Sequence, residues 1–271
     1  MINIVTIRTA SFLSVFLMIA AWELLAPRRV LTTSRTTRWF SNLGITFLNP
    51  IIIHLLFPVL AVDMAIKTQE VGWGLFHILG LPYWLNLVIG VVALDLIIYM
   101  QHVIFHAIPL LWRLHMMHHA DLDVDVTTGL RFHPIEIVLS MGIKISAVVL
   151  IGPPVTAVLV FEVLLNATSM FNHGNIRLPL KIDRFLRWLV VTPEMHRVHH
   201  SVIIRETNSN FGFNLPWWDR LFGTYRDQPA KGHEGMTIGL SQFREVKKLT
   251  LPWLLALPFI GDPGRQPINR H

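Results

Sequence analysis

Apolar residues fall along this chain in long runs rather than at the alternating period of a half-buried strand. The first run covers 4–26, the second 43–65 and the third 83–107, each long enough for a helix across a bilayer's hydrocarbon core. A further stretch, 135–172, would make one straight helix about 57 Å long, well beyond a single crossing. Gly152-Pro153-Pro154 interrupts it, so it reads as two antiparallel spans, 135–151 and 154–172. Pro50 and Pro58 predict kinks in the second run. The pattern predicts an all-α integral membrane protein, one domain over 1–271, with about five membrane helices. Segments 108–134 and 173–250, mixed polar and aromatic, are expected to form a helical cap. The apolar piece 251–261 is too short to span and holds Pro252 and Pro258, which favours an interfacial segment.

Sidedness follows from the arginines. The first run sits where a signal peptide would, but lacks a small-x-small cleavage site and is followed by Pro27, so it is expected to be retained. Arg28, Arg29, Arg35 and Arg38 come next and assign that loop to the cytoplasm. Counted from Trp84, His102 lies roughly 27 Å along the third helix, near the far surface of the hydrocarbon. With three crossings that surface is cytoplasmic. Short loops and no evident endoplasmic-reticulum retrieval tail point to a bacterial inner membrane.

Composition agrees with this picture. Of 271 residues, 52% are hydrophobic and only 15% charged, with mean hydropathy +0.50. The formal charge of +6 and pI of about 10.1 would suit a polyanion. The basic residues flank apolar runs, however, and anionic headgroups explain them without nucleic acid. With no cysteine, the chain itself makes no disulfide and offers no thiolate to haem, iron–sulfur clusters or other metals. Any metal must be held by nitrogen and oxygen.

The candidate chemistry is carried by histidine. His-x-x-His-His occurs twice, as His115, His118 and His119 and as His196, His199 and His200. At this histidine frequency chance gives roughly 0.04 such triplets. Offsets of three and four bring the three imidazoles of each triplet to one helical side. His102 and His106 share a face at the end of the third span, and His173 ends the fifth, so the hairpin returns it to the same side. His133, before Pro134, is a tenth candidate ligand, the alternative being a helix cap with Glu136 as a helper or N-terminal charge. Asp95 lies on the His102 stripe and is expected to orient a ligand imidazole, unless it serves as a polar contact between helices. Glu162, Asn166 and Ser169 form a polar stripe below His173 that should face the bundle interior. Asn172, Asn175 and Glu194 complete the supporting set, with the two asparagines also readable as ligands or loop formers. His54, His77, His233 and His271 are isolated and are assigned no role. Two ions with four or five protein ligands each would use about this many histidines.

In this order the motifs resemble the fatty acid hydroxylase and sterol desaturase superfamily. The resemblance runs from Asp95 to about Tyr225. It rests on His102-x-x-x-His106, the two triplets, Arg131-Phe132-His133-Pro134, Asn172-His173-Gly174-Asn175, Asn210-Phe211-Gly212 and Trp218-Asp219-Arg220-Leu221-Phe222-Gly223-Thr224. It implies a membrane-bound non-haem di-iron oxygenase that uses dioxygen and two electrons to hydroxylate or desaturate a membrane lipid. Fatty acyl, sterol-like or hopanoid substrates all fit the resemblance. It also implies an external electron donor, such as cytochrome b5 or a ferredoxin with its reductase. Arg184, Arg187, Arg197 and Arg205 are candidates to dock an acidic donor, or else to contact headgroups. The rivals are a non-catalytic or structural zinc protein of the same fold, a metal or haem carrier, and an intramembrane zinc protease. The last would need His-Glu-x-x-His, which does not occur.

Overall fold

The computed structural model describes residues 4–265 and 268, so His271 lies outside the described residues. The architecture is helical, and two isolated β-bridges, Pro27 with Ile176 and Ser201 with Ile238, are the β-pairings among the described residues. Helices α1 (Ile4–Leu25), α2 (Arg35–Leu56), α3 (Ala61–Val71), α4 (Leu75–Leu79), α5 (Tyr83–Ala107), α6 (Pro109–His119), α7 (Pro134–Ile151) and α8 (Val155–Asn172) make the bundle and its first cap helix. The rest is short: α9 (Leu180–Leu186), α10 (Pro193–His199), α11 (Ile204–Thr207), α12 (Trp217–Leu221), α13 (Gly232–Gly235) and α14 (Leu251–Ile260). Five stretches are long and apolar enough to cross a membrane: Ile4–Leu25, Arg35–Leu79, Tyr83–Ala107, Pro134–Ile151 and Val155–Asn172.

The two prolines of the second stretch behave differently. Pro50 sits inside α2 without ending it, whereas the chain leaves the helix at Phe57–Leu60 around Pro58. Helix α3 then continues in the core with α5, α7 and α8, where Ala61, Ala65 and Ala157 keep side chains small and Leu94, Ile98, Val148 and Phe161 fill between them. Small residues are what close helix packing needs inside lipid, where apolar burial alone gives no preference for protein over acyl chain. The turn at Gly152-Pro153-Pro154 is as expected. Gly152 ends α7 with φ +65°, and a Cβ there would stand 2.5 Å from the Trp73 carbonyl oxygen. Only glycine meets both demands.

Helices α1 and α8 run parallel. Arg8 approaches Glu162 at 3.5 Å near one level, and Glu23 accepts the Asn175 N–H at 2.7 Å near the other. All chain segments bearing clustered histidines therefore meet at one end of the bundle. Helix α14 packs its Leu254 and Leu257 on Trp112 and Met116 of α6 and Ile45 of α2. Arg113 donates to its Pro258 carbonyl at 3.0 Å.

Candidate metal centre

Helix α5 brings His102 and His106, one turn apart, to the end of its span. A break at Ile108-Pro109 starts α6, with proline at the position where a missing N–H costs nothing, and α6 delivers the first triplet. Helix α10 is built the same way: Thr192 caps it, its Oγ1 accepting the Met195 N–H at 3.3 Å, and Pro193 follows. The nine histidines divide into two groups. His102, His106, His115, His119 and His199 form one, and His118, His173, His196 and His200 the other, each with its ligand atoms within 4.8 Å of one another. Each triplet is split. Residues i and i+4 stay together and the i+3 residue crosses to the other group, because on a helix i and i+4 differ by about 40° while i+3 lies about 60° to the other side of i.

Six of the nine rings are oriented from behind. Nδ1 of His102, His118, His173 and His199 lies 2.7–3.1 Å from the main-chain oxygens of Phe211, Arg131, Ser169 and Ser209 respectively. A carbonyl only accepts, so these Nδ1 atoms carry the proton and each Nε2 presents a lone pair. Nδ1 of His106 donates to Asn208 Oδ1 at 3.0 Å, and that of His115 to Glu136 Oε1 at 2.7 Å. The lone pairs face one another. His102 Nε2 is 3.1 Å from His115 Nε2, and His173 Nε2 is 3.1 Å from the Nε2 atoms of His118, His196 and His200. Unprotonated nitrogens that close repel unless a cation lies between them. Burial, followed by the crowding of neighbouring imidazoles, holds His118, His119, His196, His199 and His200 well below the ordinary histidine range. They stay neutral, the state a metal ligand needs. The donor set thus fits two cations bound through nitrogen.

His133 stands apart from both groups. It caps α7, with Nδ1 accepting the Ile135 N–H and Nε2 donating to the Leu255 carbonyl, each at 3.2 Å. Both ring nitrogens are engaged, which leaves none for a metal. The supporting residues expected from sequence bond elsewhere. Asp95 accepts from Trp218 Nε1 at 2.8 Å and Leu215 N at 3.2 Å. Glu162 meets Lys144 at 3.1 Å, and Asn166 is exposed instead of facing the interior. Asn172 donates to the Phe213 carbonyl, Asn175 pairs with the Arg29 backbone, and Glu194 takes Arg28, Arg197 and His233. These residues tie together the loops that carry the histidines. His233 is buried in that ion cluster, while His54 and His77 are exposed. Among the four arginines considered for donor docking, Arg187 and Arg197 are buried in ion pairs with Asp183 and Glu194, which leaves Arg184 and Arg205 exposed.

Other supports escaped the sequence reading. Glu136, read only as a companion of His133, backs His115. Arg38 grips Asp121 through Nε at 2.7 Å and Nη2 at 2.9 Å and also pairs with Asp125, all with buried side chains. Arg131 joins Asp121 at 3.3 Å, and its own carbonyl is the one that receives His118. Burial alone would raise the Asp121 carboxyl, but Arg38 and Arg131 outweigh it and hold the group well below the usual carboxylate range. The loop at Gly129 lies so near α8 that a Cβ would stand 2.4 Å from the Ser169 carbonyl oxygen, the acceptor of His173. Asp219 accepts the N–H groups of Phe211 at 2.7 Å and Gly212 at 2.9 Å, which fixes the carbonyl behind His102. Burial pushes its carboxyl up to about 6, against those bonds and one from Thr224. The one usable signal was charge inside otherwise apolar or motif-bearing segments, as at Glu23, Arg38 and Glu136.

Fold and site together define a multi-pass membrane protein with two adjoining, buried polyhistidine clusters at one end of its bundle. Residues 87–224 match the fatty acid hydroxylase family, about half of the chain, and the chain belongs to that family. It is 30% identical over 151 residues to an ornithine lipid hydroxylase of Rhizobium tropici, covering 55% of this chain and 44% of that protein. It is 27% identical over 210 residues to the alkylglycerol monooxygenase of Xenopus tropicalis (70% and 44%) and 30% over 189 residues to that of Danio rerio (67% and 41%). The chain thus spans less than half the length of these relatives. No solved structure matches it.

Proposed function

We propose that the protein is an oxygen-dependent di-iron oxygenase that hydroxylates a membrane lipid. The observation that carries this reading is the pair of facing nitrogen clusters, five and four histidines, six of them with the tautomer set by an acceptor behind the ring. A closed structural zinc site is a poorer fit. Five nitrogen donors in one group exceed zinc's usual four. Two irons held there would supply reduction of dioxygen and insertion of one oxygen atom into a C–H bond, the other oxygen leaving as water with two external electrons and two protons.

The chain's own part is to hold His118, His119, His196, His199 and His200 neutral by burial, to fix six of the nine rings through main-chain carbonyls, Asn208 and Glu136, and to exclude bulk water. Phe132 stacks on His118 at 4.5 Å between centroids and Phe213 packs at a tilt against His102 at 5.0 Å, so apolar rings line part of the centre. Hydroxylation is favoured over desaturation because the matched relatives bear the names of a hydroxylase and monooxygenases. The whole chain would act as one membrane domain, with the histidine end on the cytoplasmic face of a bacterial inner membrane, as the arginines after α1 suggest. A separate reductant, cytochrome b5-like or ferredoxin-like, would supply the electrons. Protein purified without air should hold about two irons per chain. Cells expressing it should gain a lipid heavier by one oxygen, and alanine at His118 or His199 should abolish that product. Full activity in iron-free protein refutes the proposal.

A further inference from the structure

Outside the spans, the cap exposes large apolar side chains on two short helices. Leu180, Phe185 and Trp188 project from α9 and its end, and Trp217, Leu221 and Phe222 from α12, each between 45% and 69% exposed. Six side chains of this size leave roughly 600 Å² of apolar surface in water, the upper end for a soluble monomer. The two helices are joined. Trp217 Nε1 donates to the Trp188 carbonyl at 2.7 Å, and the Arg220 guanidinium lies 4.0 Å over the Trp188 ring.

Their depth can be read from α5. Phe222 stacks on Tyr99 with centroids 5.5 Å apart, and Trp218 bonds Asp95 one turn below. At the other end of α5 the exposed Trp73, Tyr83 and Trp84 form the aromatic belt expected at a membrane surface. From Trp84 to Tyr99 the helix rises about 22 Å, well short of the roughly 30 Å hydrocarbon thickness. Helix α12 therefore stands at a level where lipid surrounds α5, and its apolar face continues the lipid-facing surface at Met100 and Ile104. Lys181 and Arg184 are exposed beside the patch, suited to anionic headgroups.

We propose that α9 and α12 form a shelf embedded in the leaflet on the histidine side, seated in anionic phospholipid, instead of belonging to a water-exposed cap. This rests on the chain spanning a membrane and not on the chemistry at the histidines. The shelf meets α5 at Tyr99, three residues and about 4.5 Å along the helix from His102. An acyl chain lying against it would be next to the centre without leaving the hydrocarbon.

The absence of cysteine makes the test clean. Single-cysteine variants Phe185→Cys and Leu221→Cys of the full chain are placed in nanodiscs of phosphatidylglycerol and phosphatidylethanolamine, one chain per disc. Their reaction with a charged, membrane-impermeant maleimide is compared with Leu55→Cys, 79% exposed on the span surface, and Lys231→Cys, exposed in the cap. The expected result is reaction at least about tenfold slower than at 231 and close to that at 55. Reaction at both shelf positions as fast as at 231 overturns the proposal. Protection that appears only in discs holding two chains also overturns it, in favour of self-association.

Discussion

Glu136 offers the sharpest test of how the centre is held. Its Oε1 accepts from His115 Nδ1 at 2.7 Å, and both side chains are at most 5% exposed. In the five-histidine group it is the carboxylate among the acceptors found behind the rings, and the four-histidine group shows carbonyls. A buried charge-assisted bond of this kind raises the basicity of the ligand and fixes its tautomer, and its loss costs about 10–100-fold in metal affinity, or about 1.4–2.7 kcal/mol. Glu136→Gln keeps an acceptor while removing the charge, so it should sit near tenfold. Glu136→Ala leaves the His115 N–H buried without a partner and should reach the upper end. The assay is iron retained per chain against rising chelator concentration under argon. Wild type should release its two ions at different concentrations, and the variants should shift only the release assigned to the five-histidine group. Glu136→Ala with both releases at wild-type concentrations would refute the reasoning, as would an equal shift of both.

Three further outcomes follow from the same geometry. His133→Asn should keep the cap of α7 and full metal content, with stability changed by no more than about 1 kcal/mol in thermal unfolding, since both ring nitrogens are already engaged; loss of one ion would restore His133 as a ligand. Arg38→Met should destabilise by about 3–5 kcal/mol, because Asp121 and Asp125 would be left buried without their shared cation; a near-unchanged melting temperature contradicts this. Asp219 should make stability fall as pH rises between about 4 and 6. Its folded-state value of about 6 lies above the ordinary 3.8, so the unfolded chain loses the proton first, and the full effect is on the order of 3 kcal/mol. The buried neutral histidines act in the opposite direction, so the measurement is the melting difference between Asp219→Asn and wild type, which should grow in favour of the variant over that window. A constant difference means Asp219 titrates normally.

Much was legible from residue order alone. Run length and the break at Gly152-Pro153-Pro154 determined the number and direction of the membrane helices, because a bilayer sets a minimum length and proline cannot continue a helix. Spacing picked out eight of the nine clustered histidines, because imidazoles repeating at three and four share a helical side, and the returning hairpin placed the ninth, His173. Even the division of each triplet was implicit in the helical angle, though it takes the packed structure to show which group each ring joins.

Contacts distant in sequence were decided by tertiary structure. His133 has the same residue type and neighbours a motif, yet its surroundings make it a cap. Arginines after α1, which read as a charge signal for sidedness, turn out in part to be ion-pair partners: Arg38, buried, of Asp121, and Arg28, half-buried, of Glu194. Phe211, Ser209 and Ser169 support the centre through main-chain carbonyls, which every residue possesses and no side-chain pattern can mark. The sequence determined which atoms can bind a metal, and helix periodicity grouped them locally. Their convergence, and for six of them the tautomer, depend on partners up to about a hundred residues away, as with His102 and Phe211, and these meet only when the helices pack.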